Sequence, residues 1–282
     1  MKFKRILNIF SKIIKTPEGF LSSSIVFILI VVTIFGFWLT PYSPIKLNLR
    51  ERFSPPTAKY YFGTDQAGRD ILSRVISGTK VSVFAGLLIV FLATIIGVPL
   101  GLIGGYYGGY LDTIVTGITD MFLGFPPLVL AVAVSAALGP GILNGVLAVS
   151  VVWWPGYVRL TRSKVLATKN LPYIEAARAA GAGNLYIIIK HILPACINSI
   201  IVKQTMDIGY GILFVASLGF LGLGAQPPTP EWGTMVSQAR PYIMNNWWVG
   251  FFPGLMITIA VLAFNLFGDV LQNVLFDSSI QE

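Results

Sequence analysis

Four carboxylates stand inside or beside long apolar runs: Asp112, Asp120, Asp207 and Asp269. Charge placed in hydrocarbon is costly and by default marks function, so these are the first residues to ask for chemistry. They could relay protons, or neighbouring cations could neutralise them. Lys203 and Asp207 are four apart, which puts them on one helix face and favours pairing. The four acids also fall toward the inner half of the spans derived below and do not converge at the midplane, which favours structural pairing over a relay. Other chemistry is absent from the sequence. The one histidine, His191, sits at the apolar end of a basic loop, where an interfacial role is commoner than ligation. No GxSxG, HExxH or GxxxxGK[ST] pattern occurs. "GLIGGYYGG" has the glycines of a phosphate loop, but no strand precedes it and the lysine and Ser/Thr are missing. "DQAGRD" lacks the alternating oxygen ligands and distal Glu of a calcium loop. The single cysteine, Cys196, excludes an intramolecular disulfide. No catalytic, cofactor-binding or metal-ligating residue is expected.

The elements that carry these residues follow from composition. The chain has 282 residues, 55% hydrophobic and only 11% charged, with a mean hydropathy of +0.75. Soluble domains carry about 25% charged residues, so this is an integral membrane protein in contact with lipid. A net charge of +8 would point to nucleic acid in a soluble chain. Here the cations lie between apolar runs and bear on orientation instead, so no nucleic-acid partner is expected. Six runs are long enough to cross about 30 Å of hydrocarbon as helices: 21–40, 81–104, 115–138, 142–159, 195–221 and 247–270. The first follows a basic head with Lys2, Lys4, Arg5, Lys12 and Lys15. It is longer than a signal core and ends at "TPYSP" without a small-residue cleavage site, so it reads as a retained span. With both ends inside, eleven Lys and Arg fall inside and eight outside, a modest inside bias. The expected organisation is an all-α membrane protein: a head over 1–20, a first span over 21–40, an outer segment over 41–80, a five-helix core over 81–277 with an inside loop at 160–194, and a tail over 278–282.

Three stretches carry internal order. In the outer segment, Gly63, Thr64, Asp65, Gly68, Arg69 and Asp70 form a polar turn feeding a helix. Thr64 or Asp65 could cap that helix by accepting its free N–H groups. Ile71, Leu72, Val75 and Ile76 share one face, which predicts an amphipathic helix lying on the outer membrane surface. The second span carries Ala93, Gly97, Gly101, Gly105 and Gly109, each four apart, a ridge that lets two helix backbones approach closely, and Pro99 is a candidate kink. The inside loop reads "PYIEAARAAGAGNLYIIIKHILP". Pro172 can open a helix, Glu175 favours its dipole from the first turn, Ala176, Ala177 and their neighbours propagate it, and Gly181 and Gly183 can end it and turn the chain. A second helical piece follows, which Pro194 breaks or kinks before the fifth span.

This loop resembles the cytoplasmic EAA loop of ABC importer permeases, through Glu175, Ala176, Ala177, Gly181, Ile192, Leu193 and Pro194. "FGTDQAGRDILSRVISGTKVS" and "FLGLGAQPPTPEWGTMV" are similar to two further stretches of the second permease subunit in dipeptide, oligopeptide and nickel importers. The likeness runs from about residue 20 to 277. It implies a type I importer permease fold with six transmembrane helices and a cytoplasmic coupling helix. It implies a multi-pass protein of the cytoplasmic membrane, not an enzyme, that forms half of a path for peptides or small solutes such as nickel complexes. A homologous second permease would complete the path, two ABC ATPases would hold ATP and magnesium, and an extracytoplasmic binding protein would deliver cargo. Pro172, Tyr173, Glu175, Ala176, Ala177, Arg178, Gly181 and Pro194 would then couple to an ATPase, and the 63–70 turn would shape an outer gate or touch the binding protein. Two other classes remain at this stage: a proton-coupled secondary transporter using Asp120, Asp207 or Asp269, and an intramembrane enzyme, for which no nucleophile and base can be assembled.

Overall fold

The computed structural model describes residues 11–280, with side chains through Phe276. Lys2, Lys4 and Arg5 of the expected head, and Gln281 and Glu282 of the expected tail, lie outside the described residues. Among those described, all regular structure is helical apart from one isolated bridge between Thr64 and Asp70. The helices are α1 (Pro17–Leu39), α2 (Ile71–Tyr107), α3 (Gly109–Leu123), α4 (Pro127–Leu138), α5 (Ile142–Thr168), α6 (Pro172–Ala179), α7 (Asn184–Phe220), α8 (Trp232–Ala239) and α9 (Trp248–Ile280).

Four of these are long and apolar enough to cross a membrane: α1, α2, α7 and α9. The expected third span is two helices, α3 and α4, bent by 89°, a fifth crossing if the pair is one broken span. The bend falls at Gly124-Phe125-Pro126, where two successive prolines forbid a continuous helix. The expected fourth span is part of α5, 27 residues long but not apolar enough to qualify by composition. Trp153, Trp154, Pro155 and Arg159 dilute its hydropathy. The helix lies against α2 and α7 with Val149, Tyr157 and Val158 fully buried, and a helix so sheltered by protein need not be apolar throughout.

Helix α2 departs most from expectation. It has 37 residues and begins directly at Ile71, so the residues read as a separate surface helix are the first turns of the second span. Ile71 and Val75 are buried against Met235, Ala239, Trp248 and Val249, all supplied from the far end of the chain. The amphipathic pattern is real, but its apolar face meets protein. Its cap is Asp70, whose Oδ2 accepts the Ser73 amide at 2.8 Å and the Ser73 hydroxyl at 2.6 Å, rather than Thr64 or Asp65. Pro99 lies inside the unbroken helix.

The glycine ridge joins α2 to α5. A Cβ at Gly97 would lie 2.5 Å from the Trp154 carbonyl oxygen, one at Gly101 2.8 Å from that of Val158, and one at Gly105 2.8 Å from the Val165 side chain. Only glycine admits this approach of two backbones. Gly109 is not part of the ridge: α2 ends at Tyr107, and Gly109 opens α3 at a φ of +55° with open space around it. Pro194 does not end the helix. The chain from Asn184 to Phe220 is one helix, widened by a π-turn over Ile188–Ile192, where the Leu193 amide reaches back to Ile188. That wider turn accommodates a proline ring that would clash in a regular α-helix.

Candidate functional site

Segments 40–70 and 221–247 meet at one end of the bundle and build it from buried polar groups. The Asp65 carboxylate organises the first segment. Its Oδ1 accepts the amides of Ala67 (2.8 Å) and Arg69 (3.0 Å), and its Oδ2 accepts the Arg69 guanidinium at 2.7 Å, with Arg74 Nε 3.5 Å away. All three side chains are buried. Arg74 also donates to the carbonyl of Pro44 at 2.9 Å, tying the stretch after α1 to α2. The Thr64 hydroxyl donates to the Glu51 carbonyl and accepts the Ser54 amide. Gly68 turns at a φ of +70° so close to Asn48 that any Cβ would overlap its carbonyl. Trp248 Nε1 donates to the Thr64 carbonyl at 3.2 Å, linking the segment to α9.

The second segment adds a group that sequence reading missed. Glu231 is fully buried without a cation. Its carboxylate caps α8, accepting the amides of Gly233 and Thr234 at 2.8 Å each, with the Ser82 hydroxyl of α2 at 3.4 Å. Burial pushes its pKa up, and the amide and hydroxyl donors oppose that shift. The adjacent Trp232 is also fully buried and donates to the Val75 carbonyl of α2 at 3.1 Å. A lone acid between Pro230 and Trp232 was the available signal, but an N-cap glutamate looks like an ordinary loop acid until its neighbours are known. Thr64, Asp65, Arg69 and Asp70 therefore face inward. They hold the shape of this end, where neighbours such as Tyr61 and Met244 are exposed.

The opposite end is built differently. The short helix α6 starts with Pro172 after Leu171 and has Glu175 in its first turn. It closes in a Schellman arrangement: the Gly181 amide bonds the Arg178 carbonyl and the Ala182 amide bonds that of Ala177, both at 3.0 Å, with Gly181 at a φ of +84°. One side chain, Ile174, anchors the helix in a core shared with Val165, Ile187 and Ile192. Pro172, Tyr173, Glu175, Ala176 and Arg178 are exposed, Ala177 is half-buried, and open space surrounds Gly181. Pro194 is exposed a short way along α7. The loop is fastened to the bundle around the helix: Lys169 Nζ donates to the Gly105 carbonyl at 2.8 Å, and the Tyr106 hydroxyl donates to Asn184 at 2.9 Å.

The acids sort by partner. Asp112 takes a bidentate contact from Arg162, at 2.5 and 2.7 Å. Asp120 pairs with Arg159 at 2.8 Å on the surface, and Lys203 meets Asp207 at 3.0 Å as its spacing predicts. Asp269 is exposed on α9. Asp120 and Asp207 are each engaged by their own cation, which gives a proton relay no support. Among the described residues, no group of three His, Cys, Asp or Glu is arranged to hold a metal ion.

Residues 97–279 match the family model described as the binding-protein-dependent transport system inner membrane component. The chain belongs to that family. This permease is 42% identical over 260 residues to the probable D,D-dipeptide transport system permease protein DdpC of Escherichia coli, covering 92% of this chain and 87% of that protein. It is 46% identical over 259 residues to the dipeptide transport system permease protein DppC of Haemophilus influenzae, covering 89% and 88%. It is 45% identical over 251 residues to the glutathione transport system permease protein GsiD of Escherichia coli, covering 89% and 83%. Its fold is similar to that of a chain in inward-facing structures of the MetNI methionine ABC transporter, with a TM-score of 0.60 at 21% identity, over 72% of this chain and 97% of that one. The protein is thus an ABC importer permease of the inner membrane, with the type I fold.

Proposed function

We propose that this permease forms half of a translocation path for peptides or closely related small solutes and is driven by ATPases that grip α6. A homologous second permease completes the path. The relatives named for dipeptide and glutathione transport support this class of cargo. The 40–70 and 221–247 end faces outward toward a binding protein, and the 160–194 loop faces the cytoplasm, in keeping with its cations. ATP and magnesium are held by the two ATPases, since this sequence carries no phosphate loop.

The observation that carries the coupling role is α6 itself. It is eight residues long, anchored through one buried isoleucine, and presents small and unpaired polar side chains outward. A helix serving only to connect α5 with α7 would gain by burying more of itself. A rigid, low-profile helix on a fixed stem suits insertion into a groove on another protein. When the ATPases close, they move the helix, and the stem formed by Val165, Ile174 and Ile187 passes that motion to α5 and α7.

The test is the Gly181→Leu variant in the purified complex in lipid, measuring ATPase subunit retention and stimulation by loaded binding protein. Stimulation is expected to collapse, because a branched residue is strained at this φ and its bulk projects into the docking space. Wild-type stimulation and uptake in this variant would make α6 a passive connector.

A further inference from the structure

A half-open cleft of about 400 Å³ lies between α5, α7 and α9, within the ~300–1,000 Å³ usual for small-molecule sites. Its wall carries the Lys203–Asp207 pair, with Ser199, Tyr210 and Gln272 beside it. The pair differs from the buried Asp65–Arg69 pair described above. At Asp65 both carboxylate oxygens accept N–H donors. At Asp207, which is 5% exposed, Oδ1 accepts a long hydrogen bond from Lys203 Nζ at 3.3 Å, and Oδ2 lies 3.0 Å from the same ammonium without accepting a hydrogen bond. The Lys203 stem runs along Gly156, where a Cβ would lie 3.3 Å from its Cε, and its ammonium sits 5.1 Å from the Tyr157 ring centroid. An ammonium has three donors, and this one contacts a single carboxylate. The pair is therefore incompletely satisfied on both sides, in low-dielectric surroundings, and open to a cavity. By helix rise, Asp207 lies roughly 20 Å along α7 from its outer end at Phe220, deep in the membrane.

We infer that this cleft is a cargo-contact site for zwitterionic solutes, with Asp207 receiving the solute's ammonium and Lys203 its carboxylate. The inference rests on the peptide reading above and adds where and how the cargo is held. A free peptide carries both missing partners: its ammonium donates to Asp207 Oδ2, and its carboxylate takes the spare Lys203 donors. Lys164, also on the wall, adds a cation 5.5 Å from the Phe276 ring centroid, and the internal pair itself is neutral when the site is empty. It opens into an alternating arrangement of four charges when cargo enters, so neither charge stands alone in hydrocarbon. The exposed Tyr210 ring and the Met206 side chain offer apolar contact without selecting a side chain.

The test places a cysteine in the cleft, Ser199→Cys with Cys196→Ala, in the full complex in nanodiscs, and follows labelling by the cationic reagent methanethiosulfonate ethylammonium. Millimolar alanyl-alanine is expected to slow labelling about tenfold, while the uncharged N-acetyl-alanine methylamide leaves it unchanged. The exchange Lys203→Asp with Asp207→Lys keeps an ion pair but inverts its polarity, and protection should be lost. Absence of labelling, equal protection by both compounds, or full protection in the exchange variant would overturn the site. Uptake of radiolabelled alanyl-alanine by the wild-type complex is followed in parallel. No uptake overturns the peptide reading, whereas uptake without protection overturns the cleft alone.

Discussion

The two ends of the bundle spend their polar residues in opposite ways. At the 40–70 and 221–247 end, Asp65, Arg69, Arg74 and Glu231 are buried, and their hydrogen bonds close within the chain. At the α6 end, Glu175 and Arg178 are exposed, and a single isoleucine ties their helix down. The first end has a shape it must keep; the second has a surface it must offer. The difference predicts that equal changes in chemistry will damage different properties: stability at the outer end, coupling at the inner.

Asp65→Ala should have the largest effect. It leaves two buried guanidinium groups without their counter-charge, a loss of about 3–5 kcal/mol for a broken buried pair. The detergent-purified chain should melt at a clearly lower temperature or fail to accumulate, and unchanged melting would remove the contrast between the ends. Gly181→Ala comes next. The alanine is strained at positive φ by about 1–2 kcal/mol, yet its methyl group enters open space. Melting should move little, and ATPase stimulation should survive better than in Gly181→Leu. If alanine proves as damaging as leucine, backbone strain and not docking bulk explains the loss. The smallest effect is expected from Glu175→Ala, which removes a first-turn charge worth about 0.3–1 kcal/mol to the helix. Its signature should be weaker ATPase retention as salt is raised, with melting unaltered; a stability defect there would mean the helix is more tightly integrated than its exposure indicates.

What was legible in the sequence was mostly local. The closure of α6 at Gly181, the pairing of Lys203 with Asp207 and the close approach at Gly97, Gly101 and Gly105 depend on spacings of a few residues and appear as expected. What was not legible depends on partners distant in sequence. The face formed by Ile71 and Val75 reads as a lipid-facing stripe until Met235 and Trp248 arrive from over a hundred residues away. The same holds for Glu231, whose donor Ser82 lies on another helix. Helix α5 falls short of an apolar span because its neighbours, rather than lipid, surround much of it. Pro194 shows a further limit: a proline announces the loss of one hydrogen bond, but not that a π-turn just before it will absorb the loss.

Helix α2 runs unbroken from the Asp70 cap to Tyr107, with the glycine ridge in its last third. Its two ends are therefore locked in rotational phase. At 3.6 residues per turn, one residue added between Ile71 and Gly97 would swing the ridge about 100° around the axis relative to the cap. The outer network and the α5 contact could not both be kept, so the length of this rod is as much a part of its specification as any side chain on it.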